Sequence, residues 1–457
     1  MDFGAHYLLE RKAVQAASEQ DGNPFFCQHL STLNKTQKVV ASEDICNRQG
    51  AVVLKKGEDF TERRAQIIVQ HKLIKPIEQC IQLSETFDAA QLHQHLKKFA
   101  RTVPGLQSVA GAEPFDQNLR KMCKYYGQFP LIKQNLTVLA NRLPDIYRNA
   151  LFTAIAGLAI ALQMQRSERE QQIIFMAALT HDCGFLYIPH ELATQKTDFS
   201  ADQWHSLLAH PIIAKRFLDS VPHLPKEVGQ AVLDHHERTD GTGYPHQRFG
   251  DELTIASQII GITDDIVDGF RQYAAFGEHT HRMILVALKL NDHLHFEQVF
   301  KATAVLFGRT PKPTTPVPAL NSARQLLDRH QSLVSYFESI RTLARKLIAQ
   351  TKHPLNRSIA SMLGRLAISI VRAGIMQDEH VDWLTELAGK NTHEETEQLT
   401  ETAVMYDQVD VQLNHLKNLL HRVIEDIPEE QQTIKEDAQA TFSQFPVSKT
   451  PALAMTP

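Results

Sequence analysis

His181-Asp182-Cys183-Gly184, then Ala209-His210-Pro211, then His235-His236-Glu237-Arg238-Thr239-Asp240-Gly241-Thr242-Gly243-Tyr244-Pro245, then Asp264: this stretch decides the reading of the chain. Imidazoles and carboxylates are the side chains that hold divalent metals in hydrolytic sites. Two adjacent metals need about six to eight such groups, with at least one carboxylate able to bridge. His181, Asp182, His210, His235, His236 and Asp264 supply that chemistry within one segment. A paired-metal centre clamps a phosphoryl group, activates water near neutral pH and stabilises the leaving oxygen. The segment therefore points to phosphoester hydrolysis.

Working outward, each ligand falls at the edge of a helical pattern. Residues 144–164 read as a helix, with Pro144 at a first helical position and Leu151–Met164 strongly apolar. Ser167 caps the next helix, and Glu170 completes a capping box. That helix runs through Ile173–Leu179 and delivers His181-Asp182 at its end. Ser200 and Gln203 announce another. His210 lies on that helix or at a break made by Pro211. Residues 227–235 form a further helix that ends in the two histidines. Asp240-Gly241-Thr242-Gly243 is a turn sequence, so the Gly-Tyr-Pro segment is expected as an exposed loop. Residues 255–270 form a buried helix that carries Asp264 inward.

The joint pattern resembles the HD-GYP family, a branch of the HD metal-dependent phosphohydrolases, over residues 117–307. The resemblance implies an all-helical bundle, cyclic di-GMP as substrate, and the linear dinucleotide or GMP as product. It also implies iron or manganese, in a cluster of two or three ions. By motif match the metal ligands are His181, Asp182, His210, His235, His236 and Asp264, with Asp182 as the bridging, catalytic group. Arg238, Asp240, Gly241, Gly243, Tyr244 and Pro245 match the loop that meets substrate or protein partners, a diguanylate cyclase or another signalling protein among them. Two positions depart from the family pattern. Phe185 stands where members usually carry a phosphate-facing lysine, and the loss of that cation is expected to weaken phosphate binding. Asn149 stands where they usually carry a histidine, and Asp145, one helical turn earlier, resembles an acidic position used for a third metal. Asp182, His210, His235 and His236 thus make one complete metal position. The other, with His181, Asp182 and Asp264, is left for water, Asn149 or Asp145 to complete. The alternative to an enzyme is a degenerate member acting as a nucleotide receptor or protein-interaction regulator.

The rest of the chain fits this class. At 457 residues there is room for two or three domains. A net charge of −4 gives no general attraction to nucleic acid or anionic lipid. Five scattered cysteines, at 27, 46, 80, 123 and 183, read as reduced thiols in a cytoplasmic protein, with Cys183 a small packing residue. The longest apolar stretch, 151–164, falls short of the roughly 20 residues of a membrane span. Residues 1–100 are expected to form a small α+β module and a connecting helix, with strands near 39–45 and 51–54, a helix over 61–71 and an edge strand over 73–81. The metal domain occupies 117–307. Four prolines within 311–318 mark 308–318 as a stiff, exposed linker. Apolar stripes at helical spacing make 319–440 a helical domain whose faces form a bundle core or a homodimer seam. Asp378, Glu379, His380 and Asp382 read as a solvated helix start, and 441–457 as a loose tail.

Overall fold

Asn23 opens the first helix among the described residues of the computed structural model. Its side chain accepts from the backbone N–H groups of Phe25 and Phe26, and Pro24 fills the first helical position of α1 (Pro24–Leu33). The structure describes residues 22–103, 106–107, 112–194, 199–308, 314–315, 317, 321–389, 396–427 and 432–443. Four short strands follow α1. β1 (Val39–Ala41) pairs antiparallel with the later β4 (Ile81–Leu83), Val39 opposite Leu83, and β2 (Ile45–Cys46) pairs with β3 (Val52–Leu54). α2 (Glu62–Val69) is capped by Thr61. The edge strand expected over 73–81 is mostly absent. Pro76, with its fixed φ of −54° and no N–H to donate, starts the one-turn helix α3 (Ile77–Cys80); Leu73 makes an isolated antiparallel bridge to Asn47, and Ile81–Leu83 forms the paired strand.

This unit does not stand apart from the bundle. Val39, Ile45, Leu54, Phe60 and Ile68 are buried in the same hydrophobic core as the helices that follow. Phe26 stacks on Tyr187 with ring centroids 5.0 Å apart, and Asn23 Nδ2 donates to the Tyr187 carbonyl at 3.2 Å. The N-terminal helix thereby braces the turn that follows His181-Asp182.

The bundle contains α4 (Ala89–Ala100), α5 (Glu113–Tyr126), α6 (Pro130–Arg142), α7 (Pro144–Gln163) and α8 (Glu168–Thr180). After a 3-10 segment, Cys183–Tyr187, come α9 (His190–Thr194), α10 (Ala201–Leu208), α11 (His210–Asp219), α12 (Lys226–Leu233), α13 (Ile255–Gln272), α14 (Thr280–Leu290) and α15 (Glu297–Phe307). α7 is the axis of this layer. Every residue from Ala150 to Ala161 is buried, and Gly157 faces Ile174 of α8 and Ile259 of α13. Among the described residues it is the one helix long and apolar enough to cross a membrane, and 78% of its most apolar window is packed inside the bundle. The expected capping boxes at Ser167–Glu170 and Ser200–Gln203 are both formed.

Beyond the bundle, α16 (Ala323–Gln350), α17 (Asn356–Arg372), α18 (Asp378–Gly389), α19 (Thr396–Glu425) and α20 (Gln432–Ser443) enclose a second core around Leu333, Tyr336, Ile340, Leu413 and Leu420. Asp378 and Glu379 stand in the first turn of α18, as a helix start, and His380 Nε2 lies 2.8 Å from the Tyr406 hydroxyl. α19 runs along α14, where Arg282 pairs with Glu397 and Glu401, and Asn291 Nδ2 donates to Gln408 Oε1 at 2.7 Å. Residues 308–318 lie largely outside the described residues. Of the described ones, Thr314 donates its backbone N–H to Glu278 at 2.8 Å, and the Thr315 carbonyl lies 2.7 Å from His279 Nε2. Residues 1–21 and 444–457, which the sequence assigns to the N-terminal module and the tail, also lie outside.

Candidate metal centre

Three helix ends and the middle of a fourth helix converge to build the centre. α8 terminates at Thr180, so His181 is its C-cap and Asp182 leads into the 3-10 segment. His210 is the first residue of α11, and Pro211 starts this new helix rather than kinking the old one. α12 stops at Leu233, which places His235 and His236 in the turn beyond it. Asp264 faces inward from the middle of α13 and is 6% exposed.

The histidines are held in one tautomer by a repeated device. Nδ1 of His181 lies 2.8 Å from the Ala178 carbonyl, that of His210 2.8 Å from Leu207, and that of His235 2.6 Å from Val232. Each contact reaches back three residues to a carbonyl left over at a helix end. Nδ1 is therefore the donor and Nε2 carries the lone pair. Nε2 of His181, His210, His235 and His236 is buried and has no hydrogen-bond partner. Four orphaned buried ring nitrogens beside carboxylates are costly unless a cation takes them. Asp182 sits among them. Its oxygens lie 3.3 Å from His181 Nε2, 3.4 Å from His210 Nε2 and 3.9 Å from His235 Nε2. Ligand atoms of Asp182, His210, His235 and His236 all fall within 4.8 Å of one another, a set that fits one divalent ion. His181 Nε2 lies 4.0 Å from Asp264 Oδ1, and His236 Nδ1 3.7 Å from Asp264 Oδ2. The structure thus brings the six sequence-derived ligands together, with Asp182 shared between the two groups.

The electrostatics follow from burial and proximity. Burial alone would raise the Asp182 carboxyl, but His181 and His210 hold it well below the usual carboxylate range. Burial disfavours a proton on His235 and His236 and leaves both neutral, the form that ligates. Burial also opposes a proton on His181, yet Asp182 and Asp264 lift it to about 9. Burial, then Asp268 and Asp182, push Asp264 up.

Asp145 does not join the cluster. It stands in the first turn of α7 with its side chain 80% exposed, 3.9 Å from Arg148, where the helix dipole favours an acid. Asn149 is half-buried, and none of the cluster's described hydrogen bonds or ion pairs reaches it. Phe185 is packed in the interior. It is 4% exposed, and its ring stacks on His210 with centroids 4.3 Å apart and planes 18° apart. The tight approach depends on Gly184: a Cβ there would meet the His210 carbonyl oxygen at 2.1 Å. Cys183 is buried, which raises its thiol and suits a packing role.

The loop from Arg238 to Pro245 is buried rather than exposed. Asp240, Gly241, Gly243, Tyr244 and Pro245 are all shielded from solvent, because α17 lies over them. Ser358 Oγ donates to the Gly241 carbonyl at 3.2 Å, Arg365 Nη1 donates to Thr239 Oγ1 at 3.0 Å, and the Arg357 guanidinium sits 3.7 Å above the Phe249 ring. Within the loop, Asp240 Oδ1 accepts from the Thr242 N–H and hydroxyl, and Tyr244 stacks on His236 at 4.5 Å. A Cβ at Gly243 would fall 2.4 Å from Glu237 Cα, so glycine is needed for the loop to fold back on the histidine pair. Arg238 is tied to Asp265 at 2.6 Å, and His295 completes that group at 2.8 Å.

Sequence reasoning missed several residues. Glu237 is fully buried and accepts from the backbone N–H groups of His246 and Arg248, which fastens both ends of the loop. Burial pushes its carboxyl up to about 7, against the pull of those two donors. Its position beside the histidine pair was a signal for a buried acid. Asp265, His295, Ser358 and Arg365 carry no such signal, since their roles depend on which helices meet.

Comparison with known proteins places this geometry. A family described as the HD domain matches residues 133–284, a span that holds all six ligands. A cyclic di-GMP phosphodiesterase response regulator, RpfG of Xanthomonas campestris, is 34% identical over 111 residues, covering 24% of this chain and 29% of its own. The cyclic di-GMP phosphodiesterase PdeB of Borreliella burgdorferi is 29% identical over 125 residues, 26% of this chain and 33% of its own. A 3'3'-cGAMP-specific phosphodiesterase of Vibrio cholerae is 30% identical over 118 residues, 25% of each chain. The match therefore spans no more than a third of the length of these relatives. Among solved structures, an HDG"Y"P protein of Bdellovibrio bacteriovorus aligns over 60% of this chain and 94% of its own, at 14% identity and a TM-score of 0.32.

Proposed function

Because the chain belongs to the HD-GYP family, we propose that it is a metal-dependent phosphodiesterase that hydrolyses cyclic di-GMP, to the linear dinucleotide or GMP, in second-messenger signalling. The observation that carries this reading is the set of four buried, unpartnered Nε2 atoms gathered around Asp182. Asp182, His210, His235 and His236 would hold one cation, and His181, Asp182 and Asp264 a second, with iron or manganese suited to this nitrogen and oxygen donor set. Such ions supply Lewis acidity toward a phosphodiester and a lowered pKa for water. The protein's own groups do the rest. The backbone carbonyls at the ends of α8, α10 and α12 fix the imidazole tautomers, and Glu237 and Gly243 fold the loop against His236. The buried ring of Phe185 keeps water from one face of His210.

The test is direct. Protein reconstituted anaerobically with Fe(II) or Mn(II) is incubated with cyclic di-GMP and, in parallel, cyclic GMP-AMP. Linear product should appear with wild type and not with Asp182→Ala. Metal-loaded protein that binds nucleotide but releases no more product than that control would mark a receptor instead.

A further inference from the structure

A cavity of about 170 Å³ lies between the metal-ligand bundle and the C-terminal helices. His236 and Tyr244 line it together with Met362 of α17 and Gln408 and Gln412 of α19. Pockets that hold a whole drug-sized ligand measure roughly 300–1,000 Å³. This one suits a single ring system rather than an entire dinucleotide. Ile284 and Leu288 give it an apolar wall. A directional chain of amides runs along it. Gln408 Nε2 donates to the Tyr273 hydroxyl at 2.7 Å, Asn291 Nδ2 donates to Gln408 Oε1 at 2.7 Å, and Gln412 Nε2 donates to Asn291 Oδ1. The chain ends on Gln412 Oε1, which is buried and has no partner among the described residues. A bare buried acceptor is destabilising until a donor reaches it.

We propose that this cavity is a nucleobase subsite, so that the C-terminal helices form part of the substrate site. The inference rests on the phosphodiesterase reading above. With the scissile phosphate at the metal ligands, one purine of the dinucleotide enters the cavity beside His236. It lies against Met362 and Leu288 and offers an N–H donor to Gln412 Oε1. Guanine presents N1–H and N2–H₂ for this, and adenine N6–H₂. Bases held away from a helical stack are read in this way, through one edge and one apolar face.

Gln412→Leu keeps the volume and removes the acceptor, and Met362→Trp fills the space. The measurement is kcat/KM for cyclic di-GMP divided by kcat/KM for bis(p-nitrophenyl) phosphate, a diester without a base. The ratio should fall about tenfold in Gln412→Leu, chiefly through KM, as expected for one lost hydrogen bond. It should fall further in Met362→Trp, with metal content in both variants equal to wild type. An unchanged ratio in both would overturn the subsite. A rise in dinucleotide turnover would equally overturn it and make these helices a cover that substrate displaces. Metal-loaded wild type that cleaves neither diester would overturn the phosphodiesterase reading instead. The subsite would then be decided by cyclic di-GMP binding, expected to be about tenfold weaker in Gln412→Leu and, if equal, contradicted.

Discussion

Replacing Phe185 by lysine restores the residue type that the family resemblance places after His-Asp-x-Gly, and the structure expects it to do harm. The ring is 4% exposed and stacked 4.3 Å from the His210 ring. Removing a buried phenylalanine costs about 3–5 kcal/mol. The lysine stem recovers part of that contact. Its ammonium, however, enters an apolar turn between Asp182 and Tyr187 and faces histidines that are expected to hold cations, so an unpaired buried charge is added. The packing part of the loss is about 3 kcal/mol after the partial recovery, and the unpaired charge adds to it. His210 also loses the surface that orients it, and support of that kind changes metal affinity by roughly 10–100-fold. Urea denaturation of metal-free wild type and variant measures the first effect, and Mn(II) titration the second. Turnover of cyclic di-GMP should fall in proportion to metal occupancy. A Phe185→Lys protein that melts like wild type and cleaves faster would refute the packing role and restore the phosphate-facing one.

Other outcomes follow from the same geometry. Gly184→Ala sets a methyl 2.1 Å from the His210 carbonyl oxygen, so α11 must shift, and elemental analysis should show metal retention reduced by at least an order of magnitude. Arg365→Ala removes a donor to Thr239 and to the His293 carbonyl, and hydrogen exchange across 239–246 should quicken while exchange in α7 stays as in wild type. His29 is 1% exposed, and burial, then Arg142 and His190, lower its pKa to about 3. The folded state therefore binds the proton less readily than the unfolded chain. Stability from this group is complete above pH 6.5 and declines as pH falls toward 3, by about 1.4 kcal/mol per pH unit. Between pH 6.5 and 5 wild type should lose about 2 kcal/mol that His29→Phe does not, and parallel urea midpoints in the two proteins would contradict this.

The ligands and their helices were legible because local chemistry announces them. Capping boxes at Ser167 and Ser200 and proline at helix starts are signals within four residues of their effect. His210 was left between two positions because Pro211 both ends one helix and begins another, and only packing chooses. The turn residues of the Gly-Tyr-Pro loop were read correctly, but its exposure was not. A turn sequence fixes backbone shape and says nothing about which distant helix covers it. Here α17, more than a hundred residues on, supplies Ser358 and Arg365. The packing of Phe185 was not legible for a related reason: a motif slot records what relatives carry, and the ring's neighbour His210 is set by tertiary contact. Leu73–Ile81 shows that Pro76 not only demoted a strand but permitted a helical turn in its place.

The measurement closest to the central claim is elemental analysis of anaerobically reconstituted protein beside its Asp182→Ala variant. Wild type is expected to hold about two transition-metal ions per chain and the variant essentially none, because one carboxylate serves both groups of histidines. No uptake by wild type, or equal uptake by the variant, would contradict a metal centre built around Asp182.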